Sequence, residues 1–327
     1  MVAYTIRRLL FGVPVLLASS MLVFLLVAMS GDPLDNMRQK FPRPPDHVIA
    51  QEAHRLHLDE SLPERYWFWL SNVVQGDWGP STRASIDIGA ELTSRTFITL
   101  RLVFFAMLLA LVLSIISGVI SAVKQYTKID YSFTFFGFLA LSIPSFWFAI
   151  LLKEGAISYN KATNTSTFFT LGDRDYRYDS FTTWGKFTDI FGHMVLPTVS
   201  LMLITYAAWS RFQRASMLEV LNSDYVRLAR AKGLTNRTVM VRHALRTALI
   251  PLVTVSALGI GDIFGGAVVT ETVYNWEGMG RFLLVSVQNR DSYAVLGWLL
   301  IAGSIVIVFN ILADLLYAAL DPRIRFG

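Results

Sequence analysis

Two acidic residues lie inside apolar stretches, where an ionisable side chain is a candidate for transport chemistry. Asp262 is near the middle of the stretch that follows residue 249, and Asp314 is in the last stretch. A charge is costly inside a membrane, so such residues are treated as functional by default. We expect Asp262 either to line a translocation path or to hold a hydrogen bond between helices or to a partner subunit. We expect Asp314, one turn after Asn310, to pack structurally.

Three further residues accompany Asp262 in the candidate path. Gly261 and Gly265 form a GxxxG pattern, which indicates a close contact between two helices. Glu271 follows where the same stretch ends. Gly261, Asp262, Gly265 and Glu271 together are the predicted translocation path.

A second candidate site is the hydrophilic segment from Arg211 to Arg246, which lies between two apolar stretches. It carries eight Lys and Arg against two acids. Leu221, Tyr225 and Leu228 share one face of a predicted helix. Gly233 predicts the point where the chain turns out of that helix. Three interpretations remain open: a cationic loop that only fixes topology, a helix-turn-helix that reads DNA, and a docking element for a soluble partner.

The DNA-reading interpretation is disfavoured, because both ends of so short a loop are fixed in the membrane. In the docking interpretation, Ala229 and Ala231 leave the backbone open to close approach, and a short helix of this kind suits insertion into a groove. The residues alone favour docking only slightly over the topological role.

Motifs for catalysis and cofactor binding are missing from the sequence. No GxxxxGK[ST], GxSxG, HExxH or EF-hand pattern occurs, and the chain has 0 Cys. His54 and His57 are three residues apart, but no further His or Cys joins them, so we interpret them as surface histidines. We therefore predict no catalytic residue, no cofactor and no metal site, and we predict that the chain is not an enzyme.

The elements that must position these residues are membrane helices. The chain has 327 residues, of which 54% are hydrophobic and 16% charged, whereas soluble domains are about 25% charged. This composition predicts an all-α polytopic membrane protein, in contact with lipid and not with nucleic acid. Six spans are expected, over residues 1–29, 97–123, 131–152, 192–210, 249–270 and 294–320. The basic residues are denser in the loops of one side, which predicts that both termini are cytoplasmic.

Three parts follow from this pattern. Residues 1–30 form an N-terminal transmembrane helix, and residues 31–96 form a small extracytoplasmic domain with two short helices, over 46–58 and 63–74. Residues 97–327 form a five-helix core that contains the cytoplasmic loop 211–249. An aromatic cluster at 66–69 either rests on the outer leaflet or forms a local core. Pro144 lies inside the third span, and RFLLVSV (281–287) is too short to span.

Longer motifs give the chain a family resemblance. DYVRLARAKGL (224–234) and RHALRTALIPLVT (242–254) resemble the coupling loop of the oligopeptide, dipeptide and nickel permeases of bacterial ABC importers. GDWGPS (76–81), ETVYNWEGMGRFL (271–283) and LLYAALDPRIR (315–325) are similar to the same family, in the same order. The general EAA pattern is altered, because Arg227-Leu228-Ala229 stands at E-A-A. The chain most resembles the first permease of the pair, the type with an extended outer domain.

The resemblance implies a type I ABC importer-like permease fold in the bacterial cell membrane. It implies a half-channel that pairs with a second homologous permease, two ATPase subunits that dock on the loop, and an extracytoplasmic solute-binding protein that delivers peptide. Nickel, heme or glycan fragments remain alternative cargoes. The residues that the resemblance assigns to ATPase coupling are Asp224, Tyr225, Arg227, Leu228, Ala229, Arg230, Ala231, Lys232, Gly233 and His243.

One alternative function needs no ATPase. An ion-coupled secondary transporter that uses Asp262 would take up its substrate along an ion gradient, and Asp262→Asn would abolish that uptake. ATP-dependent uptake distinguishes the importer from this alternative.

Overall fold

The structure, a computed structural model, is all-helical over the residues it describes. It describes the backbone of residues 2–83 and 85–320, and the side chains of residues 6–83, 85–256, 259 and 267–315. The α-helices are α1 Val2–Met29, α2 Asp35–Arg38, α3 Asp46–Arg55, α4 Leu62–Val73, α5 Ile88–Val123, α6 Lys128–Ser142, α7 Ser145–Thr163, α8 Thr183–Leu221, α9 Asp224–Ala231, α10 Asn236–Thr238, α11 Arg246–Leu258, α12 Ile260–Tyr274, α13 Met279–Gln288 and α14 Ser292–Leu320. A π-helix spans Val239–Leu245, and a 3₁₀ turn spans Tyr178–Ser180.

Five of the described helices are long and apolar enough to cross a membrane, and a bent pair makes a sixth candidate. The bent pair is α6 and α7, which meet at an angle of 104°. The expected third span, over residues 131–152 with Pro144 inside, corresponds to this bent pair of helices. Pro144 has no N–H to donate, its ring disfavours the helical conformation of the preceding residue, and Ile143 is extended (φ −90°, ψ 126°).

Two other expected spans differ in extent from the observed helices. The fourth lies within α8, which is 39 residues long and continues through Pro197 to Leu221. The fifth is divided between α11 and α12 at Gly259, and the apolar candidate span in this region runs over Asn236–Ser256. The expected ends were placed where the apolar residues stop. The observed helices continue into polar sequence, because backbone hydrogen bonds do not depend on apolar side chains.

The chain divides into two compact units. The first comprises residues 1–99 and 277–308, and the second comprises residues 100–276 and 309–327. This division adds residues 277–308 to the predicted outer domain and first helix. The predicted boundaries at 30/31 and 96/97 remain a prediction.

The first unit buries the aromatic cluster only in part. Trp69 is fully buried, and the Tyr66 hydroxyl lies 2.8 Å from the Ser20 hydroxyl of α1. Trp67, on the opposite face of α4, is 69% exposed. The cluster thus serves a local core through Trp69 and Tyr66, and Trp67 alone faces outward.

Candidate functional site

The predicted docking element is α9 with the turn that ends it. Ser223 is extended and precedes the helix, and Asp224 lies in its first turn, where a negative charge is favourable. At the other end Gly233 has a φ of +74°. The Gly233 N–H donates to the Arg230 carbonyl (2.9 Å), and the Leu234 N–H donates to the Ala229 carbonyl (3.4 Å). This pattern is a Schellman motif, which satisfies the last carbonyls of the helix and requires the left-handed conformation that glycine adopts easily.

The inward face of α9 anchors it to its own chain. Val226 and Ala229 are buried in a cluster with residues of α5, α8, α11 and the π-helix, namely Ala122, Met217, Val220, Val239, Ala244 and Ala248. Ala229 therefore packs inside the unit. The sequence had suggested that it leaves the backbone open to a partner. Its small side chain permits the close approach of the π-helix instead. Ala231 is exposed.

The outward face of α9 is apolar at its centre and cationic around it. Tyr225 is 44% and Leu228 56% exposed. Arg227, Arg230 and Lys232 are exposed as well. The Arg227 guanidinium donates to the Asn222 carbonyl (3.0 Å) and lies 3.7 Å from the Asp224 carboxylate. An apolar centre ringed by cations suits a groove with an acidic rim.

His243 lies on the π-helix that follows α9. The π-helix packs against α9 through Val239 and Ala244, and the His243 ring is half-buried. Single π-turns occur often at functional sites in helical proteins. His243 is thus on the element that packs against α9.

An ion-pair cluster positions the end of α8 from which α9 departs. Asp130 is 2% exposed. It accepts hydrogen bonds from Arg214 Nε (2.7 Å) and Nη2 (2.8 Å) of α8, from the Tyr126 N–H (2.9 Å) and from the Ser121 hydroxyl. One carboxylate thereby joins the end of α5, the turn after it, the start of α6 and α8. Bidentate pairing to arginine fixes orientation as well as distance.

No sequence-based expectation concerned Asp130 or Arg214, so this cluster was not predicted. The sequence offered two signals. Asp130 directly follows a short basic turn, and Arg214 lies just beyond an apolar span. Their pairing depends on contacts between helices that sequence spacing does not reveal.

The predicted translocation path is described only in part. Gly261, Asp262 and Gly265 lie in the helical backbone of α12, but the Asp262 side chain and the surroundings of the two glycines are outside what the structure describes. Glu271, near the end of α12, is fully buried, and its carbonyl accepts the Trp276 N–H (2.7 Å). The path stays a prediction.

Comparison with known proteins places most of the chain in one family. The model of the family described as "Binding-protein-dependent transport system inner membrane component" matches residues 110–326. An oligopeptide transport system permease protein of Mycobacterium bovis is 37% identical over 325 residues, which is 99% of each chain. The corresponding protein of Bacillus subtilis is 36% identical over 328 residues and the full length of both. A dipeptide transport system permease protein of Escherichia coli is 35% identical over 341 residues, 99% of each.

Solved structures support the fold independently. A crystal structure of an amino acid ABC transporter with histidines aligns with a TM-score of 0.50 at 12% identity, over 78% of this chain and 98% of that one. An inward-facing MetNI methionine ABC transporter aligns with a TM-score of 0.53 at 17% identity, over 70% and 96%. At this identity the likeness concerns the fold alone, which is that of an ABC importer permease.

Proposed function

The chain belongs to the family of binding-protein-dependent transport system inner membrane components, and on that premise we propose that it is the permease subunit of an ATP-driven peptide importer. The observation that carries the proposal is the similarity to oligopeptide and dipeptide permeases along the whole length of the chain. The multi-pass helical body agrees with such a subunit.

Coupling to ATP hydrolysis takes place at α9. The chain has no phosphate-binding loop of its own, so the nucleotide is handled by two ATPase subunits. Tyr225 and Leu228 enter a groove on an ATPase subunit, and Arg227, Arg230 and Lys232 contact its rim. Asp224 and Gly233 define the two ends of the helix. Ala231 lies against the partner, whereas Ala229 and His243 support α9 from within.

Movement of the docked helix reaches the membrane through α8 and α11. The cluster under α9 contains residues from both of these helices. Because α9 and the two helices share one packed core, closure of the ATPase pair displaces them together. Alternating access of the translocation path follows from that displacement.

The remaining partners complete the importer. A second homologous permease forms the other half of the path, which includes Gly261, Asp262, Gly265 and Glu271. A solute-binding protein delivers the cargo to the outer side, which carries residues 31–96. Both termini face the cytoplasm of a bacterial cell, and the complex lies in its inner or plasma membrane. The cargo is a short peptide.

Co-purification tests the proposal most directly. The tagged chain is isolated in mild detergent, and the proteins that accompany it are identified by mass spectrometry. We expect a second six-span permease and ATPases with Walker motifs, and we expect the reconstituted complex to take up labelled dipeptide only with ATP. A homo-oligomer without an ATPase, or uptake driven by an ion gradient alone, would contradict the proposal.

A further inference from the structure

The first unit contains a cavity of about 390 Å³ that the proposed coupling and translocation do not use. Its walls come from the segment after α1, from α3, from the loop before α5 and from the end of α13. They include Leu34, Asn36, Lys40, Glu52, Arg83 and Asn289. The volume falls near the lower end of the range for small-molecule sites, roughly 300–1,000 Å³.

Arg83 contributes a positive charge that no described acid pairs with. Its Nε and Nη2 atoms are buried and have no hydrogen-bond partner among the described residues. The guanidinium lies over the Phe282 ring, 5.9 Å from the centroid. A cation–π contact of this kind leaves the N–H groups in the guanidinium plane without acceptors. A partly buried guanidinium without a carboxylate partner is costly, so the charge of Arg83 favours an anion in the adjoining cavity.

The acids near Arg83 are already engaged by other donors. Glu52 accepts hydrogen bonds from Arg55 Nε (2.9 Å) and Nη2 (2.5 Å), and these bonds hold the pKa of its carboxyl below the usual range. Asp291 accepts from the Ser81 hydroxyl (2.5 Å), from the Thr82 N–H (3.1 Å) and from the Thr82 hydroxyl (3.2 Å). Neither carboxylate forms an ion pair with Arg83.

The net charge of the cavity is therefore positive. Lys40, on its wall, is exposed and forms no ion pair among the described residues. With Arg55 matched to Glu52, the charges of Lys40 and Arg83 remain uncompensated. Two cations beside a small cavity attract a carboxylate.

We propose that this cavity binds a small carboxylate-bearing molecule, which the positive charges of Arg83 and Lys40 on its wall attract. The C-terminus of a short peptide and a free organic acid share this chemistry. The carboxylate site stands independently of the proposed function, and only the choice of a peptide as its ligand rests on that function. The cavity belongs to the first unit, whereas α9 belongs to the second.

Calorimetric titration of the full-length chain in detergent tests the site. Three probes are used: Ala-Ala, its C-terminal amide, and acetate. We expect Ala-Ala to bind at least tenfold more tightly than the amide, because the amide lacks the carboxylate and keeps the ammonium group. Acetate that competes at equal affinity would identify a general carboxylate site, and weaker acetate would show that the peptide backbone contributes.

Variants locate the site within the chain. Arg83→Gln should weaken Ala-Ala binding at least tenfold, Lys40→Gln less, and Arg83→Lys should retain part of the affinity. Arg43→Gln is the matched control, because Arg43 is exposed, pairs with Asp46 (2.9 Å) and lies outside the cavity. Equal binding of Ala-Ala and its amide, or unchanged binding by a folded Arg83→Gln, would overturn the proposal.

The comparison of Ala-Ala with its amide needs no variant, so it decides the question even if Arg83→Gln fails to fold. Equal binding of Ala-Ala and its amide would leave the proposed function intact, because ATP-dependent uptake is measured separately. Loss of uptake in a chain that still binds Ala-Ala would instead contradict the proposed function.

Discussion

The helices α9 and α12 of the second unit end with the same Schellman motif, one in exposed and one in buried surroundings. At the end of α9, Gly233 has a φ of +74° and the Leu234 N–H donates to Ala229. At the end of α12, Asn275 has a φ of +54° and the Trp276 N–H donates to Glu271. A Cβ built on Gly233 would meet nothing within 4 Å. Beside Asn275, Tyr274 is 1% and Trp276 0% exposed.

The end of α12 is held from several sides. The Tyr274 hydroxyl donates to the Ala149 carbonyl (3.1 Å) and lies 2.8 Å from the Ser200 hydroxyl. Lys153 Nζ donates to the Val273 carbonyl (2.7 Å). The Arg101 guanidinium lies 5.4 Å from the centroid of the Trp276 ring. The α12 end is therefore packed on several sides, whereas the α9 end keeps one face exposed.

The largest effect on stability is expected at the α12 end. Trp276→Ala removes a fully buried indole and leaves a cavity, which costs about 3–5 kcal/mol. Thermal unfolding of the purified chain in detergent measures the loss. Trp184→Ala, at a position 72% exposed, is the control and should change the unfolding temperature little. Equal effects of the two substitutions on the unfolding temperature would contradict tight packing at the α12 end.

A smaller loss is expected where α8 is fixed. Asp130→Asn keeps the shape of the side chain and removes its charge, so the half-buried Arg214 loses its ion partner at a cost of about 1–3 kcal/mol. Because α9 follows α8 directly, peptide uptake should fall more than the amount of folded protein. Uptake per folded molecule and unfolding temperature are measured together. Asp224→Asn, an exposed acid, serves as the stability control.

At the α9 end the expected cost is smaller again. Gly233→Val places a β-branched residue at positive φ, which costs about 1–2 kcal/mol and distorts the end of the helix. Membrane insertion should remain normal, whereas peptide uptake should fall to background. Gly233→Asn should retain uptake, because asparagine tolerates this conformation and the space around it is open. Normal uptake by Gly233→Val would argue against a docking role for α9.

The smallest effect on stability is expected on the exposed face of α9. Tyr225→Ala combined with Leu228→Ser should change the free energy of unfolding by no more than about 0.5 kcal/mol per site. The same double variant should no longer retain the ATPase subunits in a pull-down. Val226→Ser, on the buried face, is the matched contrast, because its main effect should be a loss of stability. Retention of the ATPase by the double variant would indicate that the docking surface lies elsewhere.

The sequence predicted the local devices well and the contacts between helices poorly. Gly233 predicted the end of α9 because a turn out of a helix is encoded by one residue. Pro144 was expected inside one span, and the 104° angle between α6 and α7 was not predicted. Ala229 is compatible with a partner or an internal contact, and only the position of the π-helix decides between them. The pairing of Asp130 with Arg214, 84 residues apart, has no signature in spacing.

The length of α8 has a mechanical consequence. Its 39 residues rise about 58 Å, whereas the hydrocarbon core of a bilayer is about 30 Å thick. From Pro197 to Leu221 the helix is a rod of about 36 Å. A tilt of about 5° at the proline moves the far end of this rod by about 3 Å, by simple leverage on the same helical rise. The same geometry holds in reverse, so a displacement of about 3 Å at the α9 end corresponds to a tilt of only about 5° at the proline.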